Sequence, residues 1–376
     1  MNVNNYKMNR LNYLLRGFTL SLVMVSLITF SNCDDDEGEP VATDSLYELL
    51  SADPNLSIMK DFVDESPTLL GYLQGESEYT FFAPDNGAFL TLAATLTNQD
   101  ESDINEEELA VILNAVRTDV IGEALLFHFA SGDYSSSELA GETIDTQSSD
   151  DMTINADGTI LNGGTQTAVE ITDADNAATN GRLHVTEYVL IPPTLFVFIG
   201  NHLGKLTQPI LLLEAYTILA DGLALAEEFA ATAQLPSIID NYLTATTPFT
   251  MLAPTNDTFA AAEITEASQV GDGQTWYGII LNHISIGALG SGDFGHGSSI
   301  PTLLSFDGGS TFNNLLVIVG DPNVGTGVYF DSDGNFDPGN PDPTALNAEL
   351  VIPDFFVPDI GAFHLIGGVL APPVPQ

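Results

Sequence analysis

The chain has 376 residues, and 7 basic residues stand against 52 acidic ones, which gives a formal net charge of −45 at pH 7. Such a surface repels nucleic-acid phosphates and anionic lipid headgroups, which excludes nucleic-acid binding and peripheral electrostatic attachment to a membrane. Hydrophobic residues make up 44% of the chain, enough for sizeable cores, and the length indicates two folded domains.

The first 32 residues have the pattern of an export signal. Lys7, Arg10 and Arg16 precede an apolar run over 18–30. That run is too short to span a bilayer comfortably, but it fits the core of a signal peptide. We therefore expect 1–32 to be a signal peptide, whose removal leaves 4 basic and 52 acidic residues, a net charge of −48.

The only cysteine, Cys33, directly follows the apolar run, and one cysteine cannot form a disulfide within its own chain. The segment 30–33 (Phe-Ser-Asn-Cys) resembles a bacterial lipoprotein signal, in which the cysteine is lipidated and becomes the mature N-terminus. The four acidic residues that follow resemble the surface-export tag of Bacteroidetes lipoproteins: Asp34, Asp35, Asp36 and Glu37. These resemblances imply an outer-membrane anchor and an acidic tether over 33–40; cleavage without lipidation is the alternative.

Beyond residue 40 the chain repeats itself. The segment 79–89 (Tyr-Thr-Phe-Phe-Ala-Pro-Asp-Asn-Gly-Ala-Phe) returns as 249–259 (Phe-Thr-Met-Leu-Ala-Pro-Thr-Asn-Asp-Thr-Phe), and 183–193 returns as 363–373. The copies keep the same order at domain-length separation. They therefore predict two tandem domains, 41–193 and 194–376.

Helices begin each copy. Apolar residues at helical spacing predict helices over 45–50 and 59–63 in the first copy, and over 210–219 and 235–243 in the second. A further helix is predicted over 106–116, before the equivalent segments 125–129 and 279–284.

A strand follows in each copy, at 80–82 and 250–252. Pro84 and Pro254 should end these strands, because proline cannot donate to a sheet ladder. The next residues are good helix N-caps, and Phe89 and Phe259 should pack beneath the strand one turn later.

Strands dominate the second half of each copy. Residues 152–161 alternate like a hairpin, with Asp157-Gly158 at the turn. Helices followed by strands favour the α+β class over a parallel doubly wound sheet.

The two repeated segments carry a family resemblance. Residues 79–89 and 249–259 resemble the first signature of the fasciclin domain family, and 180–193 and 361–373 resemble its closing signature. The resemblance covers about 41–376. It implies two tandem fasciclin-like domains, each a wedge-like β-sandwich with packed helices, in a family of mostly extracellular, membrane-tethered proteins that serve adhesion. The family's adhesion segment surrounds a Tyr-His pair, whose tyrosine is absent from the matching positions: Phe127, His128, Asn282 and His283.

The histidines offer the main candidates for chemistry. His184 and His364 lie in apolar strand patterns, which predicts core histidines bonded to the backbone, whereas His296 is expected in a loop. The sequence has no nucleophile elbow, phosphate-binding glycine loop or zinc-binding His-Glu-x-x-His pattern. We therefore expect no enzyme and no obligatory cofactor.

One acidic segment resembles a calcium loop, because side-chain oxygens occur at alternate positions. The candidate ligands are Asp331, Asp333, Asn335, Asp337 and Asp342. The segment departs from the EF-hand pattern, with glycine at 334 instead of 336 and aspartate instead of glutamate at 342. The alternative is an acidic surface insertion without an ion.

The anchor signal and the duplicated domain together predict a lipid-anchored cell-surface protein. It would contact a protein or polysaccharide of the cell surface or extracellular medium, and its two linked domains would gain avidity. Two alternatives remain open: a periplasmic structural or assembly subunit, and a glycan-active enzyme whose site the sequence does not reveal.

Overall fold

The computed structural model describes most of the chain beyond the N-terminal segment, and these residues belong to one compact unit. The described ranges are 42–164, 168–305, 312–319, 327–332, 348–356 and 361–370. No helix within them is long and apolar enough to cross a bilayer. The predicted signal peptide and tether lie outside these ranges.

The helices of the first domain are short. They are α1 (Leu46–Ala52), α2 (Ser57–Glu65), α3 (Pro67–Gln74), α4 (Asn86–Thr97), α5 (Glu106–Ala115), α6 (Thr118–Phe127) and α7 (Ser136–Leu139). The side chains of Ser45, Ser66, Asp85 and Asn105 cap α1, α3, α4 and α5. Each satisfies backbone N–H groups that the first turn of a helix leaves without a partner.

The first domain has one main sheet and two small ones. Its strands are β1 (Tyr79–Pro84), β2 (Phe129–Ser131), β3 (Thr143–Ile144), β4 (Met152–Thr153), β5 (Ile160–Leu161), β6 (Ala168–Val169), β7 (Ile171–Ala178) and β8 (Gly181–Thr186). The main sheet has the order β2-β1-β8-β7, with β1 parallel to β8. β3 pairs with β4, and β5 pairs with β6. Ile154 bridges Ile160 around Gly158, which confirms the predicted hairpin turn.

The main sheet separates two hydrophobic cores. Phe81 faces the helices, where it packs with Phe89 and Phe129. Its neighbour Phe82 points to the opposite face, toward the small sheets, and joins Leu190 there. Side chains alternate between the faces of a strand, so β1 supplies a large ring to each core.

Helices also open the second domain. They are α8 (Pro193–His202), α9 (Thr207–Leu212), α10 (Thr217–Ala233), α11 (Asn256–Ala261) and α12 (Gly273–Asn282). The predicted helical region over 210–219 is helical except at Leu213, which is extended and forms a bridge with Val116 of the first domain. The predicted helical region over 235–243 is confirmed only in its second part, where a π-helical turn forms over Ile239–Leu243.

The strands of the second domain close on themselves. They are β9 (Phe249–Pro254), β10 (Ile284–Ile286), β11 (Ser299–Ser305), β12 (Phe312–Val319), β13 (Val328–Asp331), β14 (Ala348–Phe356) and β15 (Gly361–Ile366). Their order, β10-β11-β12-β13-β14-β15-β9, forms a closed barrel because β9 also pairs with β10. The α+β class is confirmed. Strands β11 and β14 lie within this closed sheet, pair with neighbours on both sides and show shifts in register.

Backbone contacts join the two domains. Besides the bridge between Val116 and Leu213, the Arg117 N–H donates to the Leu212 carbonyl at 2.9 Å. The Thr118 N–H donates to the Glu214 carboxylate at 3.0 Å. The segment after α5 is thereby attached to the segment between α9 and α10.

Candidate functional site

Both domains are built on the same parallel strand pair, and a glycine allows its close approach. Gly181 has φ +135°, and a Cβ there would lie 1.9 Å from the Tyr79 carbonyl oxygen. Gly361 has φ +149°, and its Cβ would lie 2.1 Å from the Phe249 carbonyl oxygen. The closing signature has glycine at this point in both copies because a side chain has no room there.

An asparagine fixes the helix entry beside this strand pair. The Asn86 Oδ1 accepts the Ile58 N–H at 3.0 Å, and the Asn256 Oδ1 accepts the Ile218 N–H at 3.1 Å. Ile58 and Ile218 each lie in the first turn of their helix. Helices α2 and α10 are therefore equivalent.

A buried histidine ends the equivalent helices α6 and α12. The His128 Nδ1–H donates to the Ala124 carbonyl at 2.8 Å, and its Nε2 accepts the Leu190 N–H at 2.9 Å. His283 makes the same two bonds, at 2.8 and 3.0 Å, with the carbonyl four residues earlier and the N–H of Leu370. Burial lowers the pKa of both imidazoles to about 4. Each histidine is therefore a neutral link between a helix end and the closing signature.

The positions that match the family's adhesion segment lie inside the protein. Phe127, His128 and Asn282 have no exposed surface, and His283 is 1% exposed. These four side chains consequently have no surface with which to contact a partner, and the prediction that they form a contact segment is corrected.

The missing tyrosine has a different replacement in each copy. Phe127 belongs to the apolar core beneath the small sheets. At the same position the Asn282 amide donates to the Leu370 carbonyl at 3.0 Å and its Oδ1 accepts from the Asn313 amide at 2.7 Å. A buried amide is stable only when it is hydrogen-bonded in this way. The second domain thus carries a polar network where the first has packed rings.

His184 and His364 are core histidines, as predicted. Both are fully buried on their strands. The His184 Nε2–H donates to the Tyr134 carbonyl at 3.0 Å, and the His364 Nε2–H donates to the Leu289 carbonyl at 2.7 Å. His296 lies in a turn, also as predicted, where its Nδ1 accepts a backbone N–H.

The calcium prediction falls mostly outside the described residues. Asp331 is the last residue of β13 and is 1% exposed. Asp333, Asn335, Asp337 and Asp342 lie outside the described ranges, as do Cys33 and the acidic residues 34–37. Within those ranges no three His, Cys, Asp or Glu side chains come together as a metal site.

Two surface grooves were not predicted from the sequence. One lies between the domains, has a volume of about 420 Å³ and is lined mainly by apolar residues such as Leu96, Val111 and Leu212. The other lies in the first domain, between α2–α3 and α5–α6, and we call it the helical groove. Its walls come from segments far apart in sequence, so a reading along the chain does not identify it. When α6 is aligned with α12 on their buried histidines, Gly122 takes the position of Tyr277. This difference is the sequence signal that could have identified the groove.

One known protein family matches the first domain. The fasciclin domain family model matches residues 54–192. No curated protein matches the sequence. A solved FAS1 domain pair from the insect cell adhesion molecule fasciclin I covers 84% of this chain and 96% of its own length, at 14% identity and a TM-score of 0.29.

The second domain repeats the parallel strand pair, the glycine, the asparagine and the buried histidines of the matched region. The match to the fasciclin domain family therefore covers the first domain, at 54–192, and the second domain repeats the framework of that matched region.

Proposed function

We propose that the chain is a lipid-anchored adhesion protein of the outer membrane, which binds proteins or polysaccharides at the cell surface. The observation that carries this proposal is the fasciclin domain at 54–192, because fasciclin domains are adhesion-type domains. A fold does not by itself decide function. Other features of this chain also support the proposed adhesive function.

The contacts between the domains support a binding role. The antiparallel bridge of Val116 with Leu213, and the bond from Thr118 to Glu214, attach one domain to the other. Two weak sites held in fixed geometry lose less entropy on binding than sites on a flexible linker, and their combined affinity rises. A duplicated domain joined in this way suits attachment to repeated ligands on a surface.

The buried positions of the histidines also favour a binding function over a catalytic one. A general acid or base must reach its substrate and have a pKa near the working pH. His128, His184, His283 and His364 are buried and bond to backbone groups. Their burial assigns these four side chains to the framework.

The proposed location rests on the N-terminal sequence. Cys33 follows a signal-peptide pattern and precedes an acidic tag, and the chain from Cys33 onward has a net charge of −48. Anionic lipid headgroups repel such a chain. The lipid would hold the protein at the membrane while the charge keeps both domains in the surrounding solvent.

A gene deletion with complementation tests this function. We expect deletion to reduce attachment of cells to polysaccharide-coated or protein-coated surfaces. The wild-type gene should restore attachment. Cys33→Ala, which removes the lipid acceptor, should leave the protein exported but unable to hold cells to the surface.

Unchanged attachment of the deletion strain on every coating would contradict adhesion. Turnover of a polysaccharide by the purified chain would support the glycan-active enzyme instead.

A further inference from the structure

The helical groove is an open, largely apolar depression in the first domain. It has two adjoining compartments of about 330 and 350 Å³, which share Phe62, Glu65, Leu113 and Asn114. Ile121 and Gly122 of α6 line the first compartment. Phe62 stacks on Phe89 at a centroid distance of 5.5 Å, so the bottom of the groove is anchored to the core.

Aromatic side chains fill the equivalent place in the second domain. Counting from the asparagine-bonded isoleucines, Gly222 of α10 corresponds to Phe62 of α2. Counting from the buried histidines, Trp276 of α12 corresponds to Ile121 of α6. A Cβ on Gly222 would lie 2.4 Å from the Trp276 ring, so α10 and α12 pack directly around this fully buried indole.

The next residue of α12 continues this filling. Tyr277 corresponds to Gly122, lies 6.0 Å from the Phe229 ring and donates its hydroxyl to the Pro236 carbonyl at 3.0 Å. Phe229 lies near the end of α10, which runs to Ala233, whereas α2 ends at Glu65. Two aromatic side chains of the chain itself thus occupy, in the second domain, the region that stays open in the first.

Carboxylates surround the groove of the first domain. Asp61 and Glu65 on α2 and Glu106 on α5 line it and are exposed. None of the three side chains forms a hydrogen bond or ion pair with another described residue. The nearby Lys60 does not neutralise them, because it is paired with Asp64. An apolar groove with an acidic rim favours a ligand that combines an apolar side chain with basic neighbours.

We infer that the helical groove binds a basic segment of a partner protein, which inserts one large aromatic or aliphatic side chain between α2 and α6. This inference rests on the proposed binding function and narrows it to one surface and one kind of partner. A second copy of the chain is a poor occupant, because two chains of net charge −45 repel each other.

A fluorescent peptide, acetyl-Lys-Lys-Leu-Trp-Lys-Leu-Lys-amide, provides the probe, with anisotropy measured on the full mature chain. Gly122→Tyr introduces the residue of the second domain and should fill the groove. It should not harm the fold, because a Cβ at Gly122 meets no atom within 4 Å, and glycine is a poor helix former. We expect peptide affinity to fall by about tenfold or more with an undiminished melting temperature. Gly122→Ala, the matched control, should stay within about twofold of wild type.

Two sets of substitutions, each of which neutralises three carboxylates, distinguish the effect of the acidic rim on peptide affinity from the effect of the overall charge. The groove set is Asp61→Asn, Glu65→Gln and Glu106→Gln. The control set, exposed elsewhere and equal in charge, is Asp240→Asn, Glu142→Gln and Glu228→Gln. We expect the groove set to weaken peptide binding about fivefold more than the control set, and a peptide with alanine for tryptophan to bind poorly to every variant.

Three results would overturn the inference. They are the absence of saturable peptide binding, full affinity in Gly122→Tyr, and equal losses in the two carboxylate sets. Each leaves the attachment assay of the deletion strain unaffected, so the groove and the adhesive function fail separately.

Discussion

The buried imidazoles of His128 and His283 should make the stability of the chain depend on pH. Their Nε2 atoms accept backbone N–H groups, and a proton there would face another proton. Burial lowers their pKa from the ordinary 6.5 to about 4. An unfolded chain takes up these protons below pH 6.5 and the folded chain only near pH 4. The contribution of the two neutral histidines to stability is therefore fully present above pH 6.5, and it is lost as the pH falls from 6.5 towards 4.

We predict that each of these two histidines lowers the free energy of unfolding by about 2 kcal/mol when the pH falls from 7 to 5. Urea unfolding of wild type and His128→Gln at both pH values measures the effect. The variant should be less stable at pH 7, but its stability should fall by about 2 kcal/mol less on acidification. Carboxylate titration affects both proteins alike. Equal losses in the two proteins would contradict the neutral, buried role of His128.

Replacement of Gly181 should destabilise the fold far more than replacement of Gly158, another glycine with positive φ. Its Cβ would collide with the Tyr79 carbonyl, whereas Gly158, at φ +85°, has no atom within 4 Å of its Cβ position. Gly181→Ala should cost about 3 kcal/mol or more and Gly158→Ala about 1 kcal/mol. Denaturant midpoints of the two variants measure this difference, and similar midpoints would contradict the steric argument.

Among the helices and strands, the local sequence predicted the end of an element where a single residue determines it. Strands β1 and β9 end at Pro84 and Pro254, and the residue after each proline caps the next helix. The start of α10 could not be predicted in this way, because 210–233 is apolar nearly throughout. The break between α9 and α10 falls at Leu213, which forms a bridge with Val116, nearly a hundred residues away. Closure of the barrel also depends on pairings between distant strands.

The repeated helices α6 and α12 show what a comparison of copies can reveal about a site. The histidine that both copies retain proved to be part of the framework, because each copy needs the same link between a helix end and the closing signature. The residues that differ, Ile121-Gly122 against Trp276-Tyr277, decide whether the groove is open or filled. Similarity between the copies thus predicted the fold, and their divergence marks the candidate site.

At the scale of the whole molecule, the joint between the domains should couple their unfolding. Leu212 is 2% exposed at this joint, and Val111, which lines the same interdomain groove, is 65% exposed. Leu212→Ala should cost about 3 kcal/mol and separate the calorimetric transitions of the two domains. Val111→Ala, the control, should change stability by less than about 0.5 kcal/mol. A single unchanged transition in Leu212→Ala would contradict a role of Leu212 in coupling the two domains.

The proposed adhesive function requires both domains to lie on the outer side of the outer membrane. Treatment of intact cells with proteinase K, followed by blotting with antibodies against residues 41–376, measures this directly. An anchored surface adhesion protein predicts loss of the signal from intact cells, while a periplasmic control protein survives. If the chain survives until the outer membrane is permeabilised, both domains face the periplasm, and a role in adhesion is contradicted.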